Sequence, residues 1–268
     1  RAEGSVDAIA GKQLYSFASI ASTLKYIDYD NVFLMPKDYI TNGDFEISGS
    51  ASITNWATIS GSPAASSKFG NTLLLTSAKS SQEVEDLIVG KSYVILIQTS
   101  GATLTLDVGT SSGGTQTKTT TLTIASGNEV LLSEVTFTAT ATTHYVTFTE
   151  SAGATAYVKL VQLAENITSI GLKYISYEEY SERYRERDSR PDTDKFSDPE
   201  FIYTTYNDEI GLSPIPDTSN RTIKFDYYTS NVDLSAHGDT SIIPTRFESV
   251  INARAKYYTY MFRSDVQT

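Results

Sequence analysis

The chain has 268 residues, 21 Lys and Arg against 32 Asp and Glu, two His, one Trp, 18 Tyr and no Cys. Without Cys, disulfide frameworks, thiolate metal sites and cysteine nucleophiles are excluded, and two His leave little for imidazole cages. A net charge of −11 argues against a simple nucleic-acid binder, whose footprint is basic, and suits solubility instead. No apolar run approaches the ~18 residues of a membrane span, and no charged-then-apolar leader pattern opens the chain, so no membrane partner is expected.

Composition changes with position. No Arg occurs between Arg1 and Arg183, and only Tyr93, Tyr145 and Tyr157 fall within 41–165, where nearly a third of the residues are Thr or Ser. The first 40 residues resemble 166–268 more than they resemble the middle. This predicts one domain, 1–40 plus 166–268, interrupted by an inserted domain, 41–165, since insertions are tolerated at exposed loops.

The middle reads as antiparallel β. Tyr93–Ile97 is an apolar run of strand length, and Leu104–Val108 alternates apolar and polar. Leu122–Ile124, Val135–Phe137, Tyr145–Phe148 and Ala156–Val161 follow, separated by Gly-containing turns. Thr-rich faces favour strands. Seven or eight short strands predict a β-sandwich or jelly roll.

The opening Asn42-Gly43-Asp44-Phe45-Glu46, then Trp56, resembles the start of carbohydrate-binding-module jelly rolls. Ser81-Gln82-Glu83-Val84, Val135–Ala139 and Gly153–Val158 match the same rhythm. The resemblance implies a glycan-binding candidate in Trp56, more often a packing residue at that place, and calcium candidates in Asp44 and Glu46. Lys159 stands where an acid of the last strand would be expected, and an ammonium cannot ligate calcium.

Beyond 166, Ser176 with Glu179 forms a capping box, and Tyr177, Tyr180 and Tyr184 share one face of a helix expected to fail near Pro191. Glu200–Tyr206 reads as a strand, Asn207-Asp208 as its turn, and Ile210–Asp217 as a short edge segment. In Arg221–Tyr228, Ile223, Phe225 and Tyr227 face one side. Pro244 suits the start of a terminal helix with a broad stripe of Phe247, Val250, Ile251, Arg254, Tyr258 and Met261. The fold class expected is mixed and mainly β: an α+β domain of helices and a small antiparallel sheet, interrupted by an antiparallel sandwich.

The series Gly11–Phe17, the Tyr-rich helix, Leu212–Asp217, the strand ending Phe225–Tyr228, Ile242–Pro244 and the apolar terminal helix is similar to head-to-tail adaptors of tailed bacteriophages, the tail tubular protein A type. Their N-terminal helices are then expected upstream of Arg1. The resemblance implies a virion protein of the neck, assembled in the host cytoplasm as a ring, a dodecamer, between the portal protein and a tail nozzle or tail-tube protein. Double-stranded DNA would pass through without specific binding. The inserted domain would decorate the neck or contact tail proteins, tail fibres included. Interface candidates are Tyr177, Tyr180, Tyr184, Phe247, Val250, Ile251, Arg254, Tyr258 and Met261. No cofactor is implied. No enzyme is expected either: neither a Gly-x-Ser-x-Gly elbow nor a phosphate loop occurs, and His144 and His237 have no evident catalytic partners. A carbohydrate-binding protein is the alternative.

Overall fold

A computed structural model describes residues 1–17, 24–46, 53–123, 130–182, 202–229 and 248–264. The chain is mainly β, with two hydrophobic cores. One draws its buried side chains from residues 40–163, the other from 8–34 and 172–227.

The first core lies in a sandwich of two five-stranded antiparallel sheets. One sheet has the order β10 (Lys118–Leu122), β9 (Leu104–Gly109), β12 (His144–Thr149), β7 (Lys79–Val84), β4 (Ala57–Ser60). The other has β11 (Leu131–Thr138), β8 (Ser92–Gly101), β13 (Ala156–Glu165), β6 (Thr72–Leu75), β5 (Ala64–Ser66). The two-residue period of a strand sets the inward face, within the apolar run of β8 as in the alternating β9: Tyr93, Ile95 and Ile97 of β8 and Leu104, Leu106 and Val108 of β9 belong to this core and are all fully buried. Each such side chain contributes roughly 1.5–3 kcal/mol by leaving water. Strand β13 breaks the alternation. A register shift between Val158 and Leu160 leaves Lys159 as the extra residue of a bulge, so Val158 and Val161 both point inward.

The second core is covered by two smaller sheets. The order β1 (Ala2–Asp7), β18 (Arg221–Thr229), β3 (Leu24–Pro36), β14 (Ile170–Gly171) is antiparallel throughout. In β15 (Lys173–Tyr174), β16 (Ile202–Tyr206), β17 (Glu209–Ser213), β2 (Leu14–Ser16), the pair β15 and β16 is parallel, so this part is not purely antiparallel. Ile223, Phe225 and Tyr227 are buried as their spacing predicts. The segment from Ile210 is not an edge: β17 pairs with β16 on one side and β2 on the other. Pro214 and Pro216, with which that segment ends, follow the strand and cost the ladder no donor.

Two helices are described. α1 (Tyr177–Tyr180) starts on Ser176, whose Oγ accepts from the Glu179 N–H at 3.3 Å, as the cap spacing predicts. α2 (Glu248–Ser264) is the expected terminal helix. Tyr184, Pro244, Phe247 and His237 lie outside the described residues.

The cores meet where the chain crosses between them twice. Asp38 Oδ1 accepts from the N–H groups of Ile40 and Leu163, both at 3.0 Å. Asn220 Nδ2 donates to Glu165, both residues being buried. Asn166 N–H bonds Ser92 O at 2.8 Å, and Arg221 Nη1 bonds Thr168 O at 3.0 Å.

Candidate assembly interface

The opening motif of the sandwich is a structural clasp. Asn42 adopts φ 52°, its Oδ1 accepts from Glu46 N–H at 2.7 Å, and its carbonyl accepts from Trp56 Nε1 at 3.2 Å. At Gly43 a Cβ would stand 2.0 Å from Val161 O, so only glycine lets this turn lie against β13. Gln82 finishes the clasp, donating to Thr41 O and Asn55 O and accepting from Thr41 N–H.

Trp56, the glycan candidate, is thereby a core residue, 7% exposed and packed between Phe45 and Phe148 at 5.3 and 5.7 Å. Burial of its face leaves no platform for a sugar ring. Asp44 and Glu46, the calcium candidates, are both exposed. Among the described residues no three His, Asp or Glu side chains converge as a metal site would need. His144 is buried beside Phe137, and burial lowers its pKa.

The tyrosine-rich part presents a different picture. Tyr177 stacks on Tyr206 at 3.9 Å and 10°, and Tyr206 is half exposed. Tyr26 stacks on Tyr228 at 4.6 Å on the surface of the β1–β18–β3 sheet, with Phe33 exposed on β3 as well. Tyr29, Tyr174 and Tyr203 cluster at 4.3 and 5.5 Å. Burial, then the neighbouring Tyr29, pushes the Tyr174 phenol up. Tyr180, expected at an interface, is instead buried in its own chain and donates its hydroxyl to Leu212 O at 3.0 Å. Helical spacing put it on one face with Tyr177, but the β16–β17 hairpin covers that place.

Helix α2 carries the remaining interface candidates. Its described side chains are all exposed, Val250 at 64% and Tyr258 at 46%. Arg254 Nη2 donates to the Tyr258 hydroxyl at 3.0 Å, and its guanidinium sits over that ring. Ile251 and Met261 lie in α2, their side chains outside the described residues. Tyr257, beside that stripe, is exposed as well. No helix among the described residues is long and apolar enough to cross a membrane.

The small exposed part of Trp56 lines a hollow together with Ser81, Glu83, Ser112 and Tyr145. Tyr145 donates its hydroxyl to Glu83 Oε1 at 2.8 Å.

The chain is similar to several solved structures at low identity. The enzymatically active domain of bacteriophage CBA120 tailspike protein 4 aligns with 14% identity and a TM-score of 0.39, over 48% of this chain and 21% of the tailspike's. TmCBM61 in complex with beta-1,4-galactotriose aligns with 16% identity and a TM-score of 0.36, over 48% of this chain and 99% of the other. The N-terminal cellulose-binding domain of Cellulomonas fimi beta-1,4-glucanase C aligns with 15% identity and a TM-score of 0.35, over 42% and 90%. No curated protein matches the chain in sequence. The SU10 adaptor protein model matches residues 117–268, from just before β10 through the sandwich's last strands, the tyrosine-rich sheets and α2. This match spans more than half of the sequence and takes in part of each core, so the chain belongs to the SU10 adaptor protein family of bacteriophage virion components.

Proposed function

We propose that this chain is a subunit of a head-to-tail adaptor ring of the tail tubular protein A type, a dodecamer set between the portal and the tail. It joins the two, and DNA passes through it without specific contacts. The carrying observation is the family match running from residue 117 to 268. The exposed stripe of α2 supports the reading, because Val250, Tyr257 and Tyr258 in water form an apolar patch of the kind that marks a docking surface. Tyr and Arg are the residue types enriched where proteins meet. The net charge of −11 suits a conduit that must not hold DNA. The sandwich then faces outward, toward a tail nozzle, tail-tube protein or tail fibres. The role is mechanical, without catalysis. Native mass measurement and particle images of the assembled protein test it: a high-order ring is expected, and a stable monomer at high concentration overturns it.

The carbohydrate reading keeps one favourable feature, the hollow with the half-buried Tyr145 ring and polar Ser81, Glu83 and Ser112. Specific retention on a glycan array, lost in Tyr145→Ala, would support that reading.

A further inference from the structure

The outer face of the β10–β9–β12–β7–β4 sheet carries a buried polar row. Thr147 of β12 lies opposite Asp107 on one side and Ser81 on the other, and Asp107 lies opposite Thr119. Their chain neighbours Leu106, Val108, Val146 and Phe148 fill the sandwich core, so the row points away from it. Thr147 is nevertheless 0% exposed, Ser81 2% and Asp107 5%. Ser81 Oγ and Thr147 Oγ1 share a hydrogen bond at 2.9 Å, and Thr119 Oγ1 donates to Asp107 Oδ1 at 2.9 Å.

The tip of the β9–β10 hairpin, residues 110–117, lies across this row. Lys79 Nζ of β7 donates to Gly113 O at 2.9 Å, and a Cβ at Gly113 would stand 3.6 Å from Ile59 of β4. The hairpin leaves the sheet from β9, and β12 separates β9 from β7, so the tip passes above β12 and Thr147 to reach Lys79. It folds back at Gly109, where a Cβ would stand 2.4 Å from Gln116 Oε1. The tip holds its own shape: Gly114 N–H donates to Ser111 O at 2.8 Å, and Thr110 N–H donates to Gln116 Oε1 at 3.3 Å. Among the described residues, 110–116 make one hydrogen bond beyond their own hairpin, the one from Lys79. The tip reads Thr-Ser-Ser-Gly-Gly-Thr-Gln-Thr and has no apolar side chain to bury. The row beneath it is hydroxyl and carboxylate, so lifting the tip returns polar groups to water and costs little hydrophobic burial. Segments with few apolar contacts open at the low end of a protein's local stabilities.

We propose that this tip is a lid strapped shut by Lys79, which lifts without unfolding the sandwich and admits small polar solutes to the row of Asp107, Thr147 and Ser81. Ser112 of the tip and Ser81 of the row both line the hollow at Trp56 and Tyr145. Lifting the tip therefore joins row and hollow into one trough lined by hydrogen-bonding groups. The lid belongs to the single subunit, so it depends neither on the ring nor on what the hollow takes.

The absence of Cys makes the test direct, because each variant then carries a single thiol. Iodoacetamide, small, polar and uncharged, is the probe, and the full chain is labelled without denaturant. Thr121→Cys, exposed on the same face, sets the unprotected rate. Val146→Cys, in the core beside the row, sets the rate of global unfolding. Ser81→Cys should react well below the first rate and well above the second. Lys79→Met keeps the aliphatic stem and removes the donor. It should raise the Ser81→Cys rate about tenfold, the worth of one bond from a charged donor, and leave the Val146→Cys rate unchanged. Thr147→Cys repeats the measurement from β12 should Ser81→Cys fail to fold. A Ser81→Cys rate equal to that of Thr121→Cys means that the row is open already, and overturns the lid. A rate equal to that of Val146→Cys with and without Lys79→Met means that only unfolding uncovers the row, and overturns it as well. An intermediate rate that Lys79→Met leaves unchanged overturns the strap. Equal acceleration of Ser81→Cys and Val146→Cys by Lys79→Met marks a general loss of stability and overturns the proposal.

Discussion

Glu150 is a carboxylate whose burial is compensated. It is 2% exposed, and Oε2 and Oε1 accept from the N–H groups of Ser77 and Ala152 at 2.7 and 2.8 Å. Burial pushes its pKa up, but the N–H groups of Ser77, Ala152, Ala154 and Gly153 outweigh it and leave the carboxyl below its ordinary value. A lowered carboxyl stabilises the fold above the ordinary carboxylate range and loses that contribution as the pH falls through the folded value. Glu150→Gln should therefore cost about 2 kcal/mol at neutral pH, the size of charge-assisted bonds, and flatten the acid limb of a stability-against-pH curve. Urea melts between pH 3 and 7 check both. Asp38 has the opposite sign. Burial raises its pKa, against the N–H groups of Ile40 and Leu163, so the fold gains stability as the pH falls through that raised value. Asp38→Asn keeps an oxygen for both N–H groups and removes the buried charge. Its melting temperature at neutral pH should equal or exceed that of the native chain, whereas Asp38→Ala should fall below it.

At the scale of elements, the β16–β17 hairpin turns on Asn207 and Asp208, at φ 48° and 58°. Two positive φ values in a two-residue loop are those of a type I′ turn, which Asn-Gly fits best. Asp208→Gly should raise stability by about 0.5 kcal/mol by relieving the left-handed conformation, as thermal melts can show. This turn was legible in the sequence because two polar residues divide two apolar runs. Ser176 was legible for a similar reason: its hydroxyl and Glu179 make a local pattern. Among the sandwich strands, β9, β11 and β12 announced themselves by alternation, and β8 by an apolar run of strand length. What failed to show depended on partners distant in sequence. β1 reads Ala-Glu-Gly-Ser-Val-Asp and has little strand propensity; it is a strand because β18 offers it a ladder from Tyr227 to Thr222. β3 was hidden by its own bulge, where Asp28–Asn31 fall between the pairs Ile27↔Tyr227 and Val32↔Phe225. The candidate site was less legible than the fold. Tyr177 and Tyr180 share a spacing and differ in fate, because a hairpin from residues 202–213 covers one of them.

At the scale of the molecule, the two cores share no backbone ladder among the described residues, and what couples them there is a small set of polar contacts at the crossing. The pair Asn220–Glu165 is the most enclosed, with both residues under 10% exposed and one on each side of the junction. Lys91 reaches the same carboxylate from the sandwich, and Arg221 Nη1 bonds Thr168 O from the other side. In an adaptor these contacts would carry force between the sandwich and the part that includes α2. Asn220→Ala removes the donor and leaves the buried Glu165 carboxylate with fewer partners, at a cost of about 1–3 kcal/mol. The loss falls on the coupling, since neither core loses apolar contacts. The native chain is therefore expected to melt in one calorimetric transition, or in two that overlap. Asn220→Ala should draw them apart, with the sheets around Ile223 and Phe225 melting first and the sandwich transition unmoved. A single transition displaced as a whole would mean that the cores are coupled through more than this junction.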